Sequence, residues 1–290
     1  MLVPFTYMRY HPGGGEFPEY AGTELPFDPQ RSIGLDVSGN LMHDTLSYDG
    51  QLNNGSQGNA SGLVSGSGLD NRMGFYGRVQ YAGAGTNADF TDSPDLAWHK
   101  HLVWAIGAAA GYESQNSSFD AFPSSQSTAE LLGLSSGSAP GFYGPMAVNG
   151  NLYRATADGH VKYRGFSFNG AIYFQQYNDE LPAGATTDTF RDIFGRGSLF
   201  QVGYFGEAGY FVVPHQWEVA GRFGELLTEG GDKQQFEYTL GVNYYIFGEN
   251  AKVQAAVTYI PNAAAYTYGP TDTFINTQDI IGQLQFQVQF

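Results

Sequence analysis

The sequence predicts an all-β protein, a transmembrane antiparallel β-barrel, and three observations carry that prediction. Twelve segments alternate apolar and polar residues with period two, the mark of a strand with one oily and one wet face. Neighbouring segments, folded about their turns, bring apolar residues opposite apolar residues. The connections alternate between short and long, as they do when one end of a barrel carries tight turns and the other carries large loops.

Composition points the same way. Of 290 residues, 14% are charged and 16% aromatic, whereas soluble domains carry about 25% charged residues. No run of about 18 apolar residues exists, which excludes a helical membrane span. With no cysteine, neither a disulfide framework nor a thiolate metal site is available. Thirteen Lys+Arg against 28 Asp+Glu give a formal charge of -15, so no nucleic acid partner is expected. The soluble alternative is a secreted β-sandwich or solenoid.

In chain order, Val3, Phe5 and Tyr7 alternate with Pro4, Thr6 and Met8 in a first strand that ends near Arg9. No signal-peptide pattern precedes it. Residues 10–30, with Pro-Gly-Gly-Gly and Pro-Phe-Asp-Pro, read as a loop. Residues 31–40 and 45–53 form a hairpin about a turn at 41–44, which places Val37 opposite Tyr48 and Ile33 opposite Leu52. After a Gly/Ser/Asn loop at 54–71, the strand 72–81 turns Met73, Phe75, Val79 and Tyr81 outward and Arg72, Tyr76, Arg78 and Gln80 inward. The connection 82–100 breaks the alternation of lengths, being long on the short-turn side. Strand 101–112 turns Leu102, Trp104 and Ile106 outward, and 113–149 is the longest loop.

Residues 151–163 and 166–177 make the sharpest hairpin, because the two-residue turn Arg164-Gly165 sets Tyr163 against Phe166, Val161 against Phe168, Ala157 against Ile172 and Ala155 against Phe174. The other face carries Arg154, Asp158, His160, Lys162, Ser167, Asn169 and Gln175, a row that no dry core accepts cheaply. Beyond the loop 178–196, strands 198–207 and 216–226 flank a turn at 209–215. They aim Phe200, Val202, Tyr204, Trp217, Val219 and Phe223 outward and Gln201, Glu207, Glu218 and Arg222 inward. Strands 235–246 and 251–260 pair about 247–250, with Tyr244 on Val253, Val242 on Ala255, Leu240 on Val257 and Tyr238 on Tyr259. A loop at 262–277 leads to the last strand, 279–290, which alternates Leu284, Phe286, Val288 and Phe290 with glutamines.

The whole chain, 1–290, reads as one barrel domain. Tyr163, Phe166, Trp217 and Phe290 fall where a barrel carries its interfacial aromatic girdle. The inward cations Arg72, Arg78, Arg154, Lys162, Arg222 and Lys252 suit a ladder for anions, since guanidinium grips phosphate or carboxylate with two bonds. The inward acids Asp36, Asp158, Glu207, Glu218 and Glu237 support a rival reading, in which opposite charges pair along the wall. His99 and His101 are spaced as a metal pair on one strand face, but a metal needs more ligands, so no metal and no cofactor are expected. No Gly-x-Ser-x-Gly elbow marks a hydrolase, and no enzyme activity is expected.

Three stretches together resemble the phosphate-selective porin O and P family. They are Val3-Pro4-Phe5 before a loop, Arg31-Ser-Ile-Gly-Leu-Asp-Val-Ser-Gly39 leading through Leu46-Ser-Tyr48 to Asn53-Asn-Gly55, and Tyr238-Thr-Leu-Gly-Val-Asn-Tyr-Tyr-Ile246 followed by Asn250-Ala-Lys-Val-Gln254. The resemblance implies a trimeric sixteen-stranded porin in the outer membrane, of which these twelve strands are the fifth to the sixteenth, with four strands and a signal peptide lacking. It implies that 10–30 and 113–149 take the places of the loops that fold inward to narrow the pore. It also implies a passive channel for small hydrophilic solutes or ions, including anions such as phosphate, embedded in the lipid bilayer and lipopolysaccharide with both termini periplasmic. The final aromatic resembles the signal read during barrel assembly. The alternatives are a structural or adhesive barrel with a closed lumen and an outer-membrane barrel hydrolase.

Overall fold

The structure, a computed structural model, describes residues 17, 34–53, 73–116, 149–180, 197–228, 234–267 and 273–288. Within them, one antiparallel sheet runs in sequence order through β1 (Gly34–Leu41), β2 (Leu46–Asn53), β3 (Gly74–Ala84), β4 (Val103–Asn116), β5 (Asn149–Tyr163), β6 (Phe166–Asp179), β7 (Ser198–Val213), β8 (Trp217–Thr228), β9 (Gln234–Phe247), β10 (Ala251–Thr267) and β11 (Thr273–Val288). These are eleven of the twelve expected strands. The first, at residues 3–9, lies outside the described residues. Among the described residues, β1 and β11 are the two edges of the sheet.

The face assignment is the feature that decides the fold. Leu240 is 74% exposed, while its neighbour Thr239 is 2% exposed, and the same contrast repeats along β3 to β10. Large apolar side chains such as Val79, Ile106, Phe168, Val219 and Val257 stand on the exposed face, and Arg78, Asp158, Glu207, Arg222 and Lys252 are on the buried one. A soluble sheet buries its oily face. This one curves around its polar face, which is what a barrel wall facing lipid requires, since only a closed hydrogen-bonded ladder carries polar backbone through hydrocarbon.

The β5–β6 and β9–β10 registers are those expected, down to Tyr163 opposite Phe166 and Val257 opposite Leu240. Arg164 and Gly165 both have positive φ, 49° and 79°, the geometry of a two-residue turn whose twist matches its strands. The β1–β2 hairpin departs from expectation. Its turn is 42–45 rather than 41–44, so Val37 meets Gly50 and Tyr48 meets Gly39. The Thr45 hydroxyl donates to the Met42 carbonyl, and Met42, His43 and Asp44 all take positive φ, which moves the closing pair to Leu41 and Leu46. A slip of two in the pairing keeps every side chain on its face.

Two expected connections are strand instead. β7 runs through Val213, so the turn is 214–216 and not 209–215. The Phe211 N–H donates to the Gly165 carbonyl, and Phe211 is buried 5.3 Å from the Tyr245 ring, which carries the strand past the β5–β6 turn. β10 and β11 likewise consume most of the loop placed at 262–277. A register shift between Ile260 and Ala263 absorbs Pro261, and the Asn262 side chain completes the ladder by accepting from the Phe236 N–H and donating to the Gln234 carbonyl. At up to 17 residues, the strands exceed the roughly 9–11 needed to cross a bilayer. They extend beyond the hydrocarbon.

Candidate functional site: the lumenal wall

Alternation places one residue in two of each strand on the inner wall, and pairing sets those residues side by side across strands. Near the short-turn end the wall is ionic. Arg78 on β3 grips Asp158 on β5 with Nη1 at 2.6 Å and Nη2 at 2.8 Å, across the glycine gap at Gly107, where a Cβ would meet both side chains. His160 Nε2 lies 3.0 Å from Asp158, and its Nδ1 lies 2.8 Å from Asn169. On β8, Arg222 donates to Glu237 at 2.8 Å and approaches Glu207 at 4.0 Å. Glu218 accepts from Asn243 and from the Tyr245 hydroxyl, and Lys252 donates to Glu249 at 2.7 Å. Buried charges survive only when paired and hydrogen-bonded, and these are.

The connection between β3 and β4, the exception in the sequence, lies across this ionic wall. It opens with a 3-10 turn, Asn87–Phe90. Phe90 is buried with Ala82, Val103 and Ala105 and sits 6.1 Å from the His160 ring. Lys162 Nζ donates to the carbonyls of Asp89 at 2.7 Å and Asp92 at 2.6 Å. Ser93, fully buried, donates to Glu207 at 2.9 Å and accepts from Asn169. Asp95, also fully buried, accepts from the Gly165 N–H at 2.7 Å and the His99 N–H, and holds His99 Nδ1 at 2.5 Å.

Further bonds tie this segment to three hairpin turns. Asn87 and Ala88 donate to Asp44 in the β1–β2 turn, the Arg164 N–H donates to the His99 carbonyl, and His215 Nδ1 reaches the Leu96 carbonyl. Trp98 packs over Gly165, where a Cβ would collide with its ring, and lies 5.6 Å from the His215 ring. Burial pushes the Asp89 carboxyl upward, but the Thr86 N–H and the His99 ring outweigh it and hold the group below the usual carboxylate range. Burial pushes Glu249 above that range, against the pull of Lys252, and Asp92 adds to the push from across the mouth.

Higher on the wall, charge thins out. Arg154 is 3% exposed, its Nε donates to Gln175 at 2.8 Å, and its guanidinium interacts with Tyr76, whose hydroxyl donates to the buried Glu113 carboxylate at 2.7 Å. Around it stand Gln175 hydrogen-bonded to Gln201, the hydroxyl of Thr156 without a partner, and Tyr173 stacked on Phe205 at 6.2 Å. On the wall formed by β8 to β10, Phe17 rests against Ala220 and Ala256, its ring 4.7 Å from the Arg222 guanidinium. A Cβ at Gly241 would come within 2.9 Å of that ring. Phe17 belongs to the stretch 10–30, so this residue of it does point into the lumen.

Arg78, Arg154, Lys162, Arg222, Lys252, Asp158, Glu207, Glu218 and Glu237 thus all face inward and are buried. Arg72 and Phe290 lie outside the described residues. Tyr163, Phe166 and Trp217 are 39%, 39% and 43% exposed beside the short turns. His99 and His101 share no strand face, because both precede β4 and His99 is held by Asp95 and Asp89. The role of residues 85–102 was signalled in the sequence only by a connection too long for its side of the barrel.

Residues 198–290 match the family described as phosphate-selective porin O and P, the family that the three sequence stretches resemble. No curated protein matches the chain. Among solved structures, the chain is similar to OmpT (in-vitro folded), an outer membrane protein of Vibrio cholerae, at 11% identity and a TM-score of 0.40. It is also similar to outer-membrane expressed OmpT of Vibrio cholerae, at 13% identity and 0.41. In each case the similarity covers 86% of this chain and 86% of the other.

Proposed function

We propose that this chain is an outer-membrane porin, a channel through which small hydrophilic solutes or ions diffuse down their gradients. The observation that carries the reading is the inversion of faces: charged and amide side chains line the inside of a sheet whose apolar side chains face out. The family match over β7 to β11 supports the same reading. Homotrimeric assembly, contact with lipopolysaccharide and periplasmic termini go with it.

The pairing pattern narrows the question of selectivity. Of the described lumenal cations, Arg78, Arg222 and Lys252 are committed to carboxylates and Lys162 to backbone carbonyls. A fixed pair presents no net field to a passing ion, so these groups shape the wall more than they select. Arg154 differs, because it is held by the Gln175 amide and by Tyr76 rather than gripped by a carboxylate. It is the group that favours anions such as phosphate. Purified protein in planar bilayers tests both levels: discrete conductance steps support the channel, and a reversal potential under a salt gradient that shifts toward cations in Arg154→Ala supports the assignment. An unchanged potential removes Arg154 from the selective path.

A second reading, a structural barrel with a closed lumen, is favoured by the segment lying across the short-turn mouth. Absence of any conductance would establish it.

A further inference from the structure

We propose that residues 87–98 form a fixed size filter at the short-turn mouth of the channel, with Ser93 as its inner anchor and Asp95 as the knot that holds it in place. The inference rests on the channel reading and adds to it the element that sets which solutes pass from that side. Nothing in the family resemblance or in the alternation of loops assigns this segment a role.

The physical case begins with position. Every strand-borne partner of the tip is an inward residue: Lys162 on β5, Asn169 on β6 and Glu207 on β7. Asp92 also acts electrostatically on Glu249 in the β9–β10 turn. The segment therefore leaves the wall at β3, passes over the inner face of β5 to β7 and comes near the far turns. It occupies space that a bare wall would leave to water.

The case for a fixed element comes from its anchors. Ser93 and Asp95 are both fully buried, and each makes more than one bond. Contacts to the turns at Asp44, Gly165 and His215 hold the segment from three sides. Elements that gate belong to the weakly bonded end of a structure, and this segment is at the other end. A static narrowing selects by diameter and by the donors and acceptors along its rim.

Two variants test this in the full chain. In the first, residues 88–97 are replaced by a short Gly-Ser linker, and single-channel conductance and liposome swelling with sugars of graded size are measured. A rise of at least about twofold in conductance, with passage of larger sugars, is expected for removal of a pore-lining constriction. In the second, Asp92→Cys is treated with a charged methanethiosulfonate reagent. The native chain has no cysteine, so it serves as the silent control. Labelled Asp92→Cys, verified by mass, is expected to lose conductance. Labelled protein that conducts as before, or a linker variant with unchanged conductance and size limit, overturns the filter while leaving the channel intact. If the native chain is silent but the linker variant conducts, the open-channel reading fails and the segment stands as the plug. If both are silent, both proposals fail.

Discussion

The two halves of the lumenal wall on β3 to β7 are built on different principles. Toward the short turns, these charges are paired or hydrogen-bonded: Arg78 with Asp158, Lys162 with the carbonyls of Asp89 and Asp92, and Glu207 with Ser93 and Asn169. Toward the long loops, the wall is mostly amides and aromatics, with Glu113 bonded to the Tyr76 hydroxyl and Arg154 held by Gln175 and Tyr76. The difference teaches that a charge in a pore is not thereby a selectivity element. Paired charges hold the wall and its inward segment, whereas Arg154 is held by Gln175 and Tyr76.

The largest effect that tests this contrast is Arg78→Ala. It strands the buried Asp158 carboxylate and is expected to cost about 3–5 kcal/mol, measured as a drop in the heat-unfolding midpoint of detergent-solubilised protein. Arg154→Ala is the matched comparison, expected to cost less, about 0.5–1.5 kcal/mol, because the partners it leaves are Gln175 and Tyr76 rather than a carboxylate in direct contact. If Arg154→Ala unfolds as readily as Arg78→Ala, the distinction between the halves collapses.

Asp95→Ala comes next. It removes the acceptor for the Gly165 and His99 N–H groups and is expected to cost about 1–3 kcal/mol. Hydrogen exchange should rise in residues 87–99 and stay unchanged at Gln175 and Gln201, which lie in the upper half. Faster exchange in both halves would show that the segment and the upper wall form one cooperative unit.

Acid pH gives the smallest effect, and its sign differs between two groups at the mouth. The Asp89 carboxyl is held low, so its contribution is present above its ordinary pKa, about 3.9, and is lost as pH falls through the lower folded value. The Glu249 carboxyl is held high, so its contribution is present below its ordinary pKa, about 4.3, and is lost as pH rises through the higher folded value. Thermal scans of Asp89→Asn and Glu249→Gln between neutral and strongly acid pH should each flatten one limb of the native profile. A profile that neither substitution alters would show that these carboxyls contribute nothing to the mouth.

What could be read in advance followed local rules. The β5–β6 and β9–β10 registers were legible because Arg164-Gly165 and the glycine turn at 248 leave little freedom in how the strands meet. The β1–β2 register was misplaced by two because a four-residue turn admits more than one closing pair, and the Thr45 hydroxyl made the choice. The ends of β7 and β10 were missed for a related reason. A glycine at 209 and a proline at 261 look like punctuation until a neighbouring strand, or the Asn262 side chain, supplies the bonds that carry the ladder onward.

The sequence by itself determined which side chains face lipid and which face the lumen, because a period of two is a property of the backbone and survives any slip in pairing by two. It thereby determined the inversion of faces and the set of inward charges. Only the tertiary structure decided which of those charges are spent on one another. Arg78 and Asp158 lie 80 residues apart and Ser93 and Glu207 lie 114 apart, and nothing local distinguishes these groups from Arg154. Whether a guanidinium is paired depends on distances fixed by strand order and by the segment between β3 and β4, and those distances exist only once the strands have paired.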